Sequence, residues 1–262
     1  MLSYQHIYHA GNLADVHKHA LLAWMLAYLT AKDKPLTYLE THAGRGLYQL
    51  DAPEAVKTGE AAAGIARVAG WFITDHPYAR CLTQVRALHG PLAYPGSPLI
   101  AALSLRPGDK LHLAELHPQE YAALSNTMSP YPARVYQRDG AEMALALCPP
   151  DPKRGLMLID PSYEIKDDYK TIPSLIRRLH KKWPVGVIVL WYPVLTDTPH
   201  RPMLKLLTEM LPDAVRHEVH FPPARPGHRM TGSGLFILNP PYGFHAEAAR
   251  LTAHYATLAV QP

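Results

Sequence analysis

The tetrapeptide Asp160-Pro161-Ser162-Tyr163 directly follows the apolar run 155–159. A carboxylate and a neighbouring backbone carbonyl can each accept one N–H of an exocyclic amine, and a tyrosine ring can stack on a flat base. Asp160, Pro161 and Tyr163 are therefore candidate catalytic residues for N-methylation of adenine, cytosine or a similar amide-like nitrogen. An Asp-Pro pair after a strand is more often a simple polar turn, so the neighbouring segments must decide between the two interpretations.

Three other segments place polar or flexible residues after apolar runs. In the glycine-rich turn 41–46, glycines let the backbone approach a ligand closely. The carboxylate of Glu115 could bind the two ribose hydroxyls of a nucleoside cofactor, and Asp139, followed by Gly140, can accept from the amino group of an adenine. Each feature alone is also typical of an ordinary surface turn or surface acid. Together with Asp160 they indicate a nucleoside site, although the turn lacks the G-x-G-x-x-G spacing of nicotinamide and flavin enzymes.

These residues need a scaffold that gathers strand ends at one edge. Strand-like runs alternate with helical patterns, which predicts an α/β fold with an open, mostly parallel sheet and helices on both faces. Ligands of such sheets bind beyond the carboxyl ends of the strands. The predicted strands cover 36–40, 111–115, 133–136, 155–159, 185–191 and 235–238, and the predicted helices cover 13–29, 98–105, 119–128, 172–179, 202–210 and 246–260.

The first two predicted strands are about 70 residues apart, which is more than one crossover helix needs. This spacing predicts an inserted helical subdomain over 49–94, with helices at 60–71 and 78–88. The remaining segments, 1–48 and 95–262, would form the sheet domain. Ser97 is predicted to be the N-cap of a helix that begins at Pro98.

The composition sets broad limits. A chain of 262 residues with 48% hydrophobic content can bury a substantial core, and its net charge of +4 allows an anionic partner without identifying one. The longest apolar stretch, 20–29, is too short to cross a bilayer, and the first residues lack the features of a secretory signal. The two cysteines lack paired spacing. We therefore expect a cytoplasmic protein with no membrane partner.

The succession of glycine turn, Glu115, Asp139-Gly140 and the Asp160 tetrapeptide resembles the S-adenosylmethionine-dependent methyltransferases that act on adenine N6. Over nearly the whole chain the sequence resembles the ribosomal large-subunit methyltransferase J family. The segments that carry this resemblance are 1–4, 8–19, 41–48, 94–100, 115–118, 190–193 and 239–241. The resemblance implies a Rossmann-like methyltransferase domain with a small helical lobe. It also implies that S-adenosylmethionine is the cofactor and that one adenine N6 in 23S ribosomal RNA is methylated.

The resemblance also implies roles for individual residues. The resemblance makes Asp160 the catalytic acceptor and Tyr4 a substrate contact. We predict that Lys18 also contacts the substrate. One position departs from the family, which usually has proline where this chain has Ser162. The carbonyl of Pro161 is kept, but the loop loses the fixed φ of a second proline. The residues implied to surround S-adenosylmethionine are His19, His42, Ser97, Glu115, Asp139 and Gly140.

The expected partner is 23S ribosomal RNA, acted on by a monomer without a metal. Its target adenine must be unpaired or flipped, because a paired base cannot enter such a site. Two other functions stay open at this point. A DNA adenine-N6 methyltransferase would need a separate target-recognition domain, and 262 residues with a small helical lobe are few for such a domain. A catalytically silent RNA-binding protein on the same fold is the second.

Two segments could mislead. Asn239-Pro240-Pro241-Tyr242 matches the adenine-methylation signature better than 160–163 does. In the fold that the resemblance implies, however, its strand is the last one and antiparallel, so it should end away from the cofactor. We predict a rigid chain reversal there. The basic loop 225–229 is equally consistent with an ordinary surface loop and with a phosphate clamp, for which Arg229 is the candidate substrate contact.

A metal site near the N-terminus is the less favoured interpretation of His9, His17 and His19. Asn12 and Asp15 have the spacing of a helix N-cap and its third residue, so a helix starts at this point. Residues two apart on a helix point in different directions. His17 and His19 are therefore predicted to face different surroundings.

Overall fold

A computed structural model describes residues 4–225 and 227–259 of the chain. The first three residues of the N-terminal motif, Pro226 of the basic loop and the last predicted helical residue lie outside this description. The strands are β1 (Thr37–Glu40), β2 (Leu47–Gln49), β3 (Ala93–Pro95), β4 (Lys110–Ala114), β5 (Ala133–Tyr136), β6 (Gly155–Ile159), β7 (Val187–Leu195), β8 (Val215–His220) and β9 (Met230–Leu238). The helices are α1 (Leu13–Thr30), α2 (Pro53–Thr58), α3 (Glu60–Ala63), α4 (Ile65–Val68), α5 (Pro77–His89), α6 (Ser97–Ser104), α7 (Pro118–Met128), α8 (Gly140–Leu147), α9 (Asp168–Lys182), α10 (His200–Met210) and α11 (Phe244–Ala256).

Seven strands form the main sheet in the order β5-β4-β1-β6-β7-β9-β8. The first five of these are mutually parallel, and β9 is antiparallel to both β7 and β8. The predicted mostly parallel α/β sheet is confirmed. The chain leaves β1 on one side towards β4 and later returns on the other side as β6. The carboxyl ends of these three strands therefore flank the crevice where such sheets bind ligands.

Alternate residues of the central strands point to opposite faces of the sheet. Tyr38 packs in a core cluster that includes residues of α1, α5, α6, α7 and α11, whereas Leu39 packs with residues of α8, α9 and α10. In β6, Leu156 and Leu158 face the first cluster, and Met157 and Ile159 face the second. This period of two produces fully buried strands without polar alternation, as expected for a sheet with helices on both faces.

The segment that follows β9 lies at the opposite edge of the sheet from the segment that follows β6. The side-chain amide of Asn239 donates to the carbonyls of Pro184, at 2.8 Å, and Gly186, at 2.9 Å, just before β7 begins. Asn239 itself has a φ of 53°, a left-handed conformation that asparagine tolerates better than most residues. The predicted direction of this strand and the chain reversal after it are confirmed.

The inserted segment contains shorter helices than predicted. The expected helix over 60–71 was wrong: Gly64 interrupts it and separates α3 from α4, and a 3₁₀ turn covers Ala69–Trp71. At Gly64, φ is −98° and ψ is −117°, and an added Cβ would lie 2.1 Å from the carbonyl oxygen of Gly11. The close contact with Gly11 therefore explains the break. The division into a sheet domain and an inserted subdomain stays a prediction.

The turn into α6 also differs from expectation. Gly96, not Ser97, is the N-cap residue, and Ser97 is the first helical residue. The hydroxyl of Ser97 donates to Oε1 of Glu40 at 2.5 Å instead of capping the helix. The predicted cap was wrong because a buried carboxyl group at the end of β1 competes for that hydroxyl.

Candidate functional site

A cavity of about 630 Å³ opens at the carboxyl edge of the parallel strands. We call it the strand-end cavity. It brings together residues from the N-terminal segment, from the basic loop before β9 and from the ends of β1, β4, β5 and β6. All of the site residues predicted from sequence line it, namely Tyr4, Lys18, His19, His42, Ser97, Glu115, Asp139, Gly140, Asp160, Pro161, Tyr163 and Arg229. Their shared location agrees with the predicted site, and their individual roles remain predictions.

Asp160 is paired with a buried lysine. Nζ of Lys18 lies 2.6 Å from Oδ2 of Asp160 and 3.1 Å from Oδ1 of Asp15. Burial opposes the lysine charge, but the carboxylates of Asp160 and Asp15 outweigh it and raise the pKa of Lys18 above its ordinary value. Lys18 thus stays cationic at neutral pH. Oδ1 of Asp160 makes no hydrogen bond to another described residue, so this oxygen can accept an N–H from a ligand.

Tyr163 is fixed beside this acceptor. Its hydroxyl donates to the backbone carbonyl of Trp191 at 2.8 Å, and its ring centroid lies 4.5 Å from that of Tyr169. Its φ of 56° is left-handed, a costly conformation that the surrounding packing maintains. The hydrogen bond and the ring contact therefore hold the Tyr163 ring in place as one wall of the strand-end cavity.

Glu115 links the first and second strands of the predicted site. Its Oε2 accepts from the backbone N–H of Gly44 and its Oε1 from that of His117, both at 2.8 Å. Burial raises the pKa of Glu115 above its ordinary value. Each carboxylate oxygen has a second lone pair, so the group can still accept hydroxyl donors from the cavity. Gly44 has a φ of 63°, which explains why glycine occupies this turn.

Asp139 and Gly140 form the start of α8. Oδ1 of Asp139 caps the helix by accepting from the backbone N–H of Glu142 at 2.9 Å, and the side chain is otherwise exposed. An added Cβ at Gly140 would lie 1.9 Å from the carbonyl oxygen of Thr41. Glycine therefore lets the loops after β1 and β5 touch, which closes this side of the cavity.

Three further predicted residues occupy the wall formed by α1, β1 and α6. His19 is buried, its Nδ1 lies 2.9 Å from the hydroxyl of Tyr94, and burial lowers its pKa to about 3, so it is neutral. His42 is exposed to the cavity and its Nδ1 lies 2.8 Å from Oγ1 of Thr41. Ser97 is the residue held by Glu40.

The N-terminal segment and the basic loop form the rim. The ring of Tyr4 stacks on His9 at 5.7 Å between centroids, and its hydroxyl lies 2.8 Å from Nδ1 of His6. Arg229 is largely exposed and lies 3.1 Å from Asp197. The histidines of α1 diverge as predicted, because His17 contacts His217 and Ser233, not the cavity.

Sequence reasoning missed several residues of this site. Asp15 forms an ion pair with Lys18 and accepts a hydrogen bond from His6 at 2.8 Å. The sequence assigned it only a role at the start of the helix. That role is confirmed, because the backbone N–H of Asp15 donates to the side chain of Asn12. Trp191 lines the cavity with its ring 5.4 Å from Nζ of Lys18. The available signal was an acid among the apolar residues 13–16 at the start of the predicted helix, since an acid buried in such a segment is rarely unpaired.

Comparison with known proteins identifies the family. The sequence profile described as "Ribosomal RNA large subunit methyltransferase D, RlmJ" matches residues 33–262. The chain belongs to this family. It is similar to the ribosomal RNA large subunit methyltransferase J of Escherichia coli K12, with 41% identity over 92% of this chain and 88% of the relative. It is also similar to the enzyme of the same name from Haemophilus influenzae, with 40% identity and the same two coverages.

A solved structure supports the fold of the RlmJ-family chain. A crystal structure of a Legionella pneumophila protein superposes with a TM-score of 0.84 and 42% identity, covering 95% of this chain and 94% of that one. The family makes the chain a methyltransferase that acts on ribosomal RNA of the large subunit, as the resemblance implied. No helix among the described residues is long and apolar enough to span a membrane.

Proposed function

We propose that this RlmJ-family protein transfers a methyl group from S-adenosylmethionine to N6 of one unpaired or flipped adenine in 23S ribosomal RNA. The observation that carries the proposal is the shared cavity of Asp160 and Glu115. The acceptor for an exocyclic amine and the acceptor for ribose hydroxyls come from different strands and open into the same space. An N-methyltransferase needs both ligands in one cavity.

The residues present suit S-adenosylmethionine. Carboxylates of Glu115, Asp139 and Asp160 line the cavity, and such a lining disfavours the phosphates of a dinucleotide but suits hydroxyl, amine and sulfonium groups. Glu115 would hold the ribose hydroxyls, Asp139 the adenine amino group, and Ser97 with the neighbouring histidines the remaining polar groups. When bound, S-adenosylmethionine supplies an electrophilic methyl group.

The chain itself places and polarises the target nitrogen. Oδ1 of Asp160 accepts one N–H of the amine and the carbonyl oxygen of Pro161 accepts the other. Two acceptors on one amine favour a pyramidal nitrogen, whose lone pair is then no longer fully delocalised into the ring. Holding reactants in such an orientation can contribute on the order of 7–11 kcal/mol to lowering a barrier. Tyr163 supplies the flat surface for the base.

Lys18 orients the acceptor. Its ammonium binds Oδ2 of Asp160, so that the carboxylate has one oxygen fixed and one available. Removing the lysine would leave Asp15 and Asp160 without their shared counter-ion. We therefore propose that Lys18, which was predicted to contact the substrate, acts there through Asp160, while Tyr4 contacts the target base directly.

The rim supplies the sequence-independent part of RNA binding. Arg225 and Arg229 belong to the loop before β9, and their guanidinium groups suit phosphates of the RNA backbone. All residues assigned to the reaction come from one chain, so we propose that it acts as a monomer. The proposed reaction assigns no role to a metal ion. We place the protein in the cytoplasm, where ribosomal RNA is assembled.

Nucleoside analysis by mass spectrometry tests the proposal. Purified protein is incubated with S-adenosylmethionine and deproteinised 23S ribosomal RNA from a strain that lacks the gene. We expect N6-methyladenosine as the product. Asp160→Ala should lower turnover by about 10²-fold or more, because it removes the amine acceptor, while calorimetry should show nearly unchanged affinity for S-adenosylmethionine.

Several results would contradict the assignment. A methyl group on a different nucleoside would show that adenine N6 is not the target. Turnover of Asp160→Ala within about tenfold of the wild type would show that Asp160 does not hold the reacting amine. A parallel incubation with unmethylated duplex DNA separates the DNA methyltransferase alternative. RNA binding without any methylated product would favour a catalytically silent protein.

A further inference from the structure

A second, smaller cavity of about 180 Å³ adjoins the strand-end cavity. We call it the side cavity. It lies between the turn that follows β8 and the short helices α3 and α4. Asn12, His228 and Met230 line both cavities, so the two spaces are neighbours along the rim. None of the reaction steps above uses the side cavity. Its lining residues outside the shared ones include Glu60, Ala63, Arg67, Phe221, Pro222 and Pro223.

The wall contributed by the inserted helices is held firmly against the start of α1. The backbone N–H of Ile65 donates to the carbonyl of Gly11 at 2.8 Å, and the absence of a side chain at Gly64 permits this contact. Nδ2 of Asn12 donates to Oε2 of Glu60 at 3.0 Å. The helices α3 and α4 therefore have a fixed position relative to α1, the helix that carries Asp15 and Lys18.

Glu60 is a buried carboxylate surrounded by donors. It accepts from Nδ1 of His9 at 3.0 Å, and Nε2 of His228 lies 3.6 Å from its Oε1. Burial opposes ionisation, but the hydrogen bonds from His9 and Asn12 outweigh it and lower the pKa of Glu60. Glu60 is thus negatively charged at neutral pH and attracts the proton-bearing nitrogens of its neighbours.

His228 has an unused hydrogen-bonding atom. Burial lowers its pKa, so the ring is neutral at neutral pH. Nε2 lies 3.6 Å from the Glu60 carboxylate, which favours the tautomer with its proton on Nε2 and leaves Nδ1 as an acceptor. Nδ1 is buried and has no hydrogen-bond partner among the described residues. A buried acceptor without a partner destabilises the protein unless water or a ligand supplies a donor.

The other walls suit a flat ring. Phe221, Pro222 and Pro223 present apolar surface, and Arg67 lines the cavity from α4. Unpaired RNA bases are bound in proteins by stacking on aromatic rings or guanidinium planes and by hydrogen bonds to their edges. Arg225 and Arg229 belong to the same loop as His228 and line the strand-end cavity, and their guanidinium groups match the phosphate that would connect two consecutive nucleotides.

We propose that the side cavity binds the base of a nucleotide next to the target adenine, with Nδ1 of His228 accepting an N–H from that base. The proposal rests on the proposed function, because it requires an RNA strand whose target base occupies the strand-end cavity. It makes His228 a residue that determines sequence preference. A base that presents an amino or imino N–H to Nδ1 is favoured over one that presents a carbonyl there.

The test combines a protein variant with a modified substrate. The substrate is an RNA fragment that carries the mapped target adenine, made with the natural neighbour or with an abasic nucleotide immediately 5′ or 3′ of the target. For the wild type, the abasic replacement on one side should lower kcat/KM roughly 3- to 10-fold. His228→Ala should cause a similar loss on the natural fragment. On the abasic fragment, the variant and the wild type should be equal.

Matched variants control for indirect effects. His245→Ala removes an exposed histidine that lines neither cavity and should behave as the wild type on every fragment. Calorimetric binding of S-adenosylmethionine checks that His228→Ala is folded. If that variant does not fold, Arg67→Ala, on the opposite wall, should show the same non-additive loss.

Two outcomes would overturn the inference while leaving the proposed function intact. One is efficient methylation by the wild type that is unaffected by an abasic neighbour on either side. The other is that an abasic nucleotide, on either side of the target, lowers kcat/KM of His228→Ala by the same factor as it lowers kcat/KM of the wild type. Failure of the wild type to methylate the natural fragment at all would instead contradict the proposed function.

Discussion

Lys18 is a buried cation that forms ion pairs with two carboxylates, those of Asp15 and Asp160. Its side chain is 5% exposed, and those of Asp15 and Asp160 are 2% and 13% exposed. Removing one member of such a group leaves an uncompensated buried charge, which is strongly destabilising. Because Asp15 is also bound by His6, the cluster keeps its geometry without a substrate. The amine acceptor is therefore oriented before RNA binds.

A second residue-scale expectation concerns Glu115. Glu115→Ala removes the acceptor proposed for the ribose hydroxyls and also frees the backbone N–H groups of Gly44 and His117. Loss of a charged hydrogen bond costs about 1.5–3 kcal/mol, so calorimetry should show affinity for S-adenosylmethionine reduced about 10- to 150-fold.

Glu209→Ala provides the control for that measurement. Glu209 is an exposed acid of α10 that does not line the strand-end cavity. Its replacement should leave the affinity for S-adenosylmethionine unchanged. An unchanged dissociation constant for Glu115→Ala itself would show that the ribose is bound elsewhere.

The individual site residues were predictable to the extent that they sit at strand ends. Glu115, Asp139 and Asp160 each follow an apolar run, and parallel strands bring their carboxyl ends together. The contact between Lys18 and Asp160 joins residues 142 positions apart. No local pattern encodes such a pair, because it depends on how α1 packs against the end of β6.

At the scale of elements, the long strands and helices of the sheet domain were predictable and the short ones were not. β2 and β3 have three residues each and pair only with one another, so they lack a readable period. β8 alternates, but it is an edge strand rich in charged and histidine residues, which resembles a polar loop. The break at Gly64 follows from a tertiary contact with Gly11 that no helical pattern reveals.

The reversal after β9 gives a prediction at this scale. Asn239→Ala removes two hydrogen bonds to carbonyls before β7 and places alanine in a left-handed conformation. We expect a loss of about 1–3 kcal/mol in the free energy of unfolding, with turnover of the folded enzyme close to wild type.

Asn239→Gly separates the two causes, because glycine adopts this φ freely but lacks the amide. Its loss of stability should be smaller than that of alanine, as measured by denaturant unfolding. A normally stable Asn239→Ala protein without activity would instead place the catalytic site at this edge of the sheet.

Two large hydrophobic clusters, one on each face of the sheet, form most of the core of the described residues. The carboxyl group of Glu40 lies fully buried at the end of the central strand β1. Its oxygens accept from the hydroxyls of Tyr38 at 2.9 Å and Ser97 at 2.5 Å, and no described cation forms an ion pair with it. The core therefore contains an acid whose ionisation affects the stability of the entire fold.

This acid makes the stability of the protein depend on pH in a defined direction. Burial raises the pKa of Glu40 to about 8, whereas an unfolded glutamate has a pKa of about 4.3. Between these values the folded state binds more protons than the unfolded state, so this group lowers the free energy of unfolding as pH rises. Glu40→Gln mimics the protonated group and lacks this dependence. Denaturant unfolding from pH 5 to 9 should show the variant gaining stability relative to the wild type up to about pH 8, by a few kcal/mol, and levelling above it.

Glu209→Gln is the control, because it alters an exposed acid, and its stability should follow the wild-type curve. If the Glu40→Gln curve instead ran parallel to the wild-type curve, Glu40 would be ionised in the folded protein throughout this range.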